Sequence, residues 1–259
     1  MSGPPLSTAA EAVCDTFFMD SSSSSTASGP PPGRGGLRRR LVTMAIALAA
    51  ASSLAFAFDL DVARWCKAGH LPGELKRFLN FAEVFAHGMG VAVILLAAVA
   101  LDPSLSARDP ATGRTAAFGR LRPSGDCWRM IAAAIAGGLM VDIIKAVVDR
   151  VRPRAADLTA VASAIATFGT AAATRLTSHS DVNSFPSGHA AMAAGLAAAL
   201  SWKYPRAAWL FAALAVAAAA QRVATSAHYP SDVLLGATLG LAGAAVFLGA
   251  SPDRPRPTA

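Results

Sequence analysis

Cysteine is scarce in this chain: Cys14, Cys66 and Cys127 are the only three in 259 residues. They stand too far apart to form a metal-binding pattern or a disulfide framework. The sequence therefore predicts neither a metal nor any other cofactor. Charge is also in short supply, at 15% of residues, which excludes an ordinary soluble domain. The net charge of +7 would suit nucleic acid. However, the arginines are scattered among loops rather than gathered on one stripe, and no aromatic residues interleave them, so nucleic acid is excluded as a partner.

Apolar residues make up 54% of the chain, and the mean hydropathy is +0.44. They fall in six blocks separated by charged loops, at about 41–58, 81–101, 127–148, 188–202, 207–224 and 230–250. That pattern predicts an all-α protein, a six-span transmembrane helical bundle, with the lipid bilayer as its surroundings. Residues 1–36, with a five-serine run and Pro-Pro-Pro, hold too little apolar surface to fold and are expected as a disordered cytoplasmic tail. Residues 37–250 form the membrane domain, and 251–259 a short second tail. The basic stretch before block one, with Ala55-Phe56-Ala57 at its end, also fits a signal peptide. Cleavage would remove a span that the topology requires.

With the N-terminus inside, the arginine-rich tail, the 102–126 loop, the Lys203/Arg206 turn and the C-terminus all fall on the cytoplasmic side. This obeys the positive-inside rule. The long loop on the other side, between blocks three and four, repeats Leu158, Val161, Ile165 and Phe168 at steps of three and four. That stripe predicts a helical outer loop, either lying at the interface or packed on the bundle. Glu83 and His87, four apart at the start of block two, share one helix face. They read either as functional groups or as a simple surface pair.

Three polar clusters lie at the ends of blocks on that same outer side. In Pro186-Ser187-Gly188-His189, Ser187 is placed to cap a helix whose first N–H groups and dipole suit an anion, with the His189 imidazole beside them. Lys145 and Arg152 are seven residues apart, about two helical turns, and Pro153 ends the helix there. Two such cations suit a phosphate, although Asp142 or Asp149 would equally neutralise Lys145. Arg222 closes block five, as a phosphate ligand or as an interfacial anchor. His228 precedes Pro230, which puts Asp232 in the first turn of block six, within reach of the imidazole.

Together the clusters read Lys, six residues, Arg-Pro; then Pro-Ser-Gly-His; then Arg, five residues, His, three residues, Asp. This resembles the signature of the type-2 phosphatidic acid phosphatase and vanadium haloperoxidase superfamily, in its bacterial membrane lipid phosphatase branch. The resemblance covers 145–232, and one position departs from it: Gln221 stands where the family has serine. The resemblance implies that His228 attacks phosphorus and becomes phosphorylated, that Asp232 orients it, and that His189 protonates the leaving oxygen. It implies that Lys145, Arg152, Ser187, Gly188 and Arg222 bind the phosphate oxygens.

The expected function is thus a metal-independent lipid phosphatase at the outer face of a bacterial inner membrane. Its substrate would be a membrane lipid phosphate or diphosphate of the undecaprenyl diphosphate, phosphatidylglycerol phosphate or phosphatidic acid type. A lipid phosphotransferase with the same site is the nearest alternative, and a non-catalytic transporter or scaffold the more distant one. The apolar blocks argue against a haloperoxidase, which is expected to be soluble.

Overall fold

A computed structural model of the protein describes residues 34–106, 123–173 and 178–249. Of the expected 1–36 tail, residues 1–33 lie outside the described residues, as do the expected 251–259 tail and most of the 102–126 loop; residues 34–36 belong to a helix. Eight α-helices are described: α1 (Arg34–Ala55), α2 (Asp59–Lys67), α3 (Gly73–Ala82), α4 (Gly88–Leu101), α5 (Gly125–Lys145), α6 (Gly188–Lys203), α7 (Ala208–Ala224) and α8 (Pro230–Gly249). Short 3-10 turns join them, and among the described residues only isolated β-bridges occur. The all-α expectation therefore holds.

Local chemistry accounts for several helix starts. Ser124 caps α5, accepting a hydrogen bond from the Cys127 N–H at 3.3 Å, and Ser187 caps α6, accepting from the Ala190 N–H at 3.5 Å. Pro230 opens α8, where its missing N–H costs nothing.

Three helices are long and apolar enough to cross a membrane, and up to five spans result if each of two bent pairs counts as one. In those pairs α1 turns by 74° into α2, and the Gly73–Phe85 segment turns by 64° into α4. The sequence block at about 81–101 takes in only the end of the Gly73–Phe85 segment together with α4, because hydropathy does not register a bend. Helix α6 has 16 residues, a rise of about 24 Å against a hydrocarbon core of about 30 Å. It is nevertheless the most enclosed helix, with every residue from Ala193 to Leu200 buried. The outer helices turn Trp128, Leu139, Ile143, Trp209, Val216 and Val246 outward, which suits a lipid surround.

Glycine sets the spacing at the centre. A Cβ on Gly236 of α8 would lie 2.2 Å from the Ser187 carbonyl oxygen, and one on Gly240 would lie 2.2 Å from that of Ala191. Helix α8 is therefore pressed backbone to backbone against the first turns of α6.

The two ends of the bundle differ. At one end Lys203 donates to Ser104 at 2.7 Å, Tyr204 donates to Asp102 at 3.1 Å, and Arg129 donates to the Phe247 carbonyl at 2.9 Å. At the other, the last turns of α1, α5 and α7 meet the first turns of α6 and α8. There Ser52 donates to the Ser231 carbonyl at 2.9 Å.

The expected helical outer loop is not found. Residues 151–173 and 178–187 run as irregular chain with two 3-10 turns, Ala164–Thr167 and His179–Val182. Leu158 and Val161 are buried with Val151 and Tyr229 in a small core against Leu60 and Ala63 of α2, whereas Ile165 is 77% exposed. The apolar spacing arises because successive turns of an irregular loop dip into that core. It is not one face of a helix.

Candidate active site

The three motif clusters converge at the second end of the bundle. His228 follows a tight reversal after α7, where Ser226 adopts a left-handed φ of +54°, a conformation that few non-glycine residues take. The N–H groups of Ala227 and His228 donate to the Arg222 carbonyl at 3.0 and 3.1 Å. The reversal thus folds His228 back beside Arg222. The imidazole is almost wholly buried, at 2% exposure.

The partner of His228 differs from expectation. Its Nδ1 lies 2.6 Å from the Ser184 carbonyl oxygen and 3.7 Å from Asp232 Oδ2. A carbonyl only accepts, so Nδ1 carries the proton and Nε2 keeps its lone pair. The tautomer needed for attack is therefore set by the Ser184 backbone, with the carboxylate of Asp232 one step further away. Burial pushes this imidazole down to about 4, against the upward pull of Asp232 and with Arg152 and Lys145 adding to the depression. The ring is neutral at physiological pH.

Asp232 is held elsewhere. It accepts from the Ser184 hydroxyl, from the Tyr229 N–H at 2.9 Å and from Arg150 Nη1. Arg150 is no part of the motif. It is fully buried and clamps two carboxylates, reaching Asp59 Oδ2 at 2.7 Å from Nη2, while Nη1 also donates to Ser231 at 2.8 Å and Nε to Thr167 at 2.9 Å. Rings of Phe56, Phe168 and Tyr229 lie 5.1, 4.9 and 4.1 Å from the guanidinium carbon. Four neutral or acidic contacts and three rings make the burial of this cation tolerable. No sequence signal separates Arg150 from its neighbours; Asp59, an acid at the edge of an apolar block, is the one available clue.

The expected phosphate ligands surround a space rather than one another. Arg152 contacts the Asn183 carbonyl at 3.4 Å, and Arg222 Nη1 contacts Glu83 Oε1 at 2.7 Å. The buried Nε of each has no hydrogen-bond partner among the described residues, a deficit an anion would fill. Burial, then Arg154 and Arg222, bring the Arg152 guanidinium down to about 10 despite Asp181 and Asp232. Lys145 ends α5 within electrostatic reach of Arg152, Arg222 and Asp232. Asp142 is also in reach, but among the described residues it does not close to an ion pair with Lys145. Ser187 donates its N–H to the Asp232 carbonyl at 2.9 Å, which ties the Gly188-His189 turn to α8. His189 lies within reach of the charges of Arg222, His228 and Lys145.

The open question over Glu83 and His87 resolves toward the site. Glu83 sits in the 3-10 break before α4. It accepts from Arg222 and from Gln221 Nε2 at 3.1 Å, and stands 3.9 Å from His189 Nε2. The rings of His87 and His189 are 5.9 Å apart. Gln221, the departure from the signature, therefore holds Glu83 through its amide N–H and accepts from Arg222 Nη1 at 3.2 Å. Among the described residues no group of three or more His, Cys, Asp or Glu is placed to hold a metal ion.

Comparison with known proteins bears on the family of the chain. The chain is 30% identical over 111 residues to a lipid A 1-phosphatase of Rhizobium etli, an overlap of 43% of this chain and 44% of the relative. It is 32% identical over 103 residues to a lipid A 1-phosphatase of Rhizobium johnstonii, covering 40% and 38%. The chain thus spans less than half the length of the curated relatives it matches. No solved structure matches it. Residues 126–256 match the PAP2 superfamily; since that stretch is half of the chain and contains all three motifs, the chain belongs to the PAP2 superfamily.

Proposed function

We propose that the protein is a membrane lipid phosphatase working through a phosphohistidine. The observation that carries this reading is the grouping of two histidines with Lys145, Arg152 and Arg222, the buried guanidinium Nε atoms of the two arginines awaiting an anion. In the first step the Nε2 lone pair of His228 attacks phosphorus, the P–O bond to the lipid breaks, and His189 gives its proton to the leaving oxygen. In the second, His189 takes a proton from water as the water oxygen attacks phosphorus, the P–N bond breaks and inorganic phosphate leaves. Asp232, its Oδ2 3.7 Å from Nδ1, stabilises the His228 imidazolium by its charge. Lys145, Arg152, Arg222, the Ser187 hydroxyl and the N–H of Gly188 carry the charge on the equatorial oxygens, the larger part of phosphoryl-transfer catalysis.

The remaining expectations are part of the same proposal. Helix α6 and the two bent pairs complete six spans, with the site at the extracytoplasmic face of an inner membrane. An amphiphilic phosphate enters there from the lipid interface. The reaction needs no metal. The names of the two relatives add a phosphorylated glycolipid to the candidate substrates.

The test is release of inorganic phosphate by purified protein in detergent. The panel contains phosphatidic acid, phosphatidylglycerol phosphate, undecaprenyl diphosphate and a phosphorylated glucosamine-disaccharide lipid. Release from at least one, insensitive to a chelator, blocked by vanadate and abolished in His228→Ala, is expected. No release from any, or strict dependence on added divalent metal, overturns the reading.

A further inference from the structure

Beside the candidate site lies a cavity of about 430 Å³ that the proposed chemistry does not use. Its volume is within the range of about 300–1,000 Å³ usual for small-molecule sites. None of the eight expected site residues lines it. It nevertheless flanks them along the chain: Arg154 follows Arg152 by two residues, Gln221 directly precedes Arg222, and Ser226 comes two before His228.

The lining is cationic. Lys67 closes α2, Lys76 lies on α3, and Arg154 comes from the loop after α5, while no carboxylate lines the cavity. The partners of these cations leave charge to spare. Lys67 spends one of its three donors on the Ala156 carbonyl at 2.9 Å, and Arg154 pairs with Asp181 at 3.0 Å. Asn80, Gln221 and Thr225 add neutral hydrogen-bonding groups to the wall. Gln221 lines the cavity and also bonds Glu83 on the side of the phosphate site. The one departure from the family signature therefore stands as the partition between the two spaces.

We propose that this cavity is a headgroup subsite: it takes a second anionic group, a phosphate or a carboxylate, carried by the same lipid whose phosphate is hydrolysed at His228. The inference rests on the phosphatase reading and narrows its substrate class to lipids whose headgroup bears two separated anionic groups. Lys76 and Lys67 are the direct contacts, each a compact, strongly hydrated cation suited to an anion of varied shape. Arg154, which also faces Asp181, closes the wall.

The test compares two lipids on the full-length protein in detergent. One is phosphatidic acid, with a single phosphate; the other is a glucosamine-disaccharide lipid phosphorylated at both ends. For Lys76→Gln, KM for the doubly phosphorylated lipid is expected to rise about fivefold, with kcat held, while KM for phosphatidic acid changes less than about twofold. Adding Lys67→Gln should raise the first figure to more than about tenfold. Lys76→Arg should restore most of it. Should the loss of Ala156 anchoring unfold the double variant, the single variant still decides. An equal rise for both lipids, or no rise for either, overturns the subsite. So does a matching rise in the inhibition constant of inorganic phosphate, since that would mean the cavity serves free phosphate. If the wild type cleaves neither these two lipids nor the rest of the panel above, the phosphatase reading fails. Equilibrium binding of the two lipids to the wild type and to Lys76→Gln then tests the subsite separately: selective loss of the doubly phosphorylated lipid supports it, and unchanged binding overturns it.

Discussion

At the scale of single residues, two groups at the site make separable demands. His228 is buried in a neutral state, with its folded value near 4 against an ordinary 6.5. The unfolded chain therefore binds the proton that the folded chain refuses across this window. The stability contributed by the neutral ring is fully present above pH 6.5 and is lost as pH falls toward 4, roughly 3 kcal/mol in all. The apparent melting temperature in detergent should accordingly fall more steeply between pH 6.5 and 4 in the wild type than in His228→Ala. Parallel curves would show that the ring is not held neutral. Glu83 makes the opposite kind of demand, because it occupies Arg222 when no phosphate does. Glu83→Gln retains a hydrogen-bonding side chain and removes the competing charge. Inorganic phosphate should then inhibit about tenfold more tightly, a gain of one charge-assisted contact. Weaker inhibition would mean that Glu83 orients Arg222 instead of competing for it.

At the scale of elements, the site depends on how closely α6 and α8 approach and on the Asp59–Arg150–Asp232 clamp that binds α2, the outer loop and α8 together. Arg150→Met would leave two fully buried carboxylates without their cation. A cost of about 3–5 kcal/mol is expected from breaking such a pair, read as a large drop in melting temperature. Arg150→Lys should not recover it, because an ammonium cannot span both carboxylates, Ser231 and Thr167 at once. Gly236→Ala places a methyl group 2.2 Å from the Ser187 carbonyl, so α6 and α8 must separate. About 1–3 kcal/mol is the usual cost of such overpacking. Phosphate release should fall with it, since Ser187 and Gly188 move away from Asp232. Retained activity with an unchanged melting temperature would show that the two helices have slack.

At the scale of the whole molecule, the question is which side the site faces. Counted along the loops, the cations favour the end opposite the site. In the fold, however, Arg64, Lys67, Lys76 and Arg77 of α2 and α3 also stand at the site end, so the bias is weaker than the loop count suggests. Among these, Arg64 pairs with Asp61 and Arg77 with Glu74. Sidedness is tested by labelling. In a Cys14→Ser background, where Cys66 and Cys127 are buried, a cysteine replacing Ser180 should react with an impermeant thiol reagent in intact cells. One replacing Ser104 should not. Reversed labelling would place the phosphate site on the cytoplasmic side.

Much of this protein can be read without its fold. The hydropathy blocks locate the long helices, and the resemblance carried by the spacing of the three motifs singles out Ser187, His189, Arg222 and His228, where spacing alone shows only that a shared site is feasible. What the chain order does not convey is contact between segments far apart in sequence. The bend before α4 that delivers Glu83 to Arg222 depends on packing against α7, and a continuous apolar block masks it. The helix expected through Leu158 and Ile165 does not form, because its burial pattern comes from a separate core with α2. Arg150 and Asp59, 91 positions apart, are ordinary residues singly; only burial in one place turns them into a clamp. The same holds for His228. Sequence locates its carboxylate, and tertiary structure hands the imidazole proton to the Ser184 carbonyl instead, because a backbone oxygen 44 residues away comes closer.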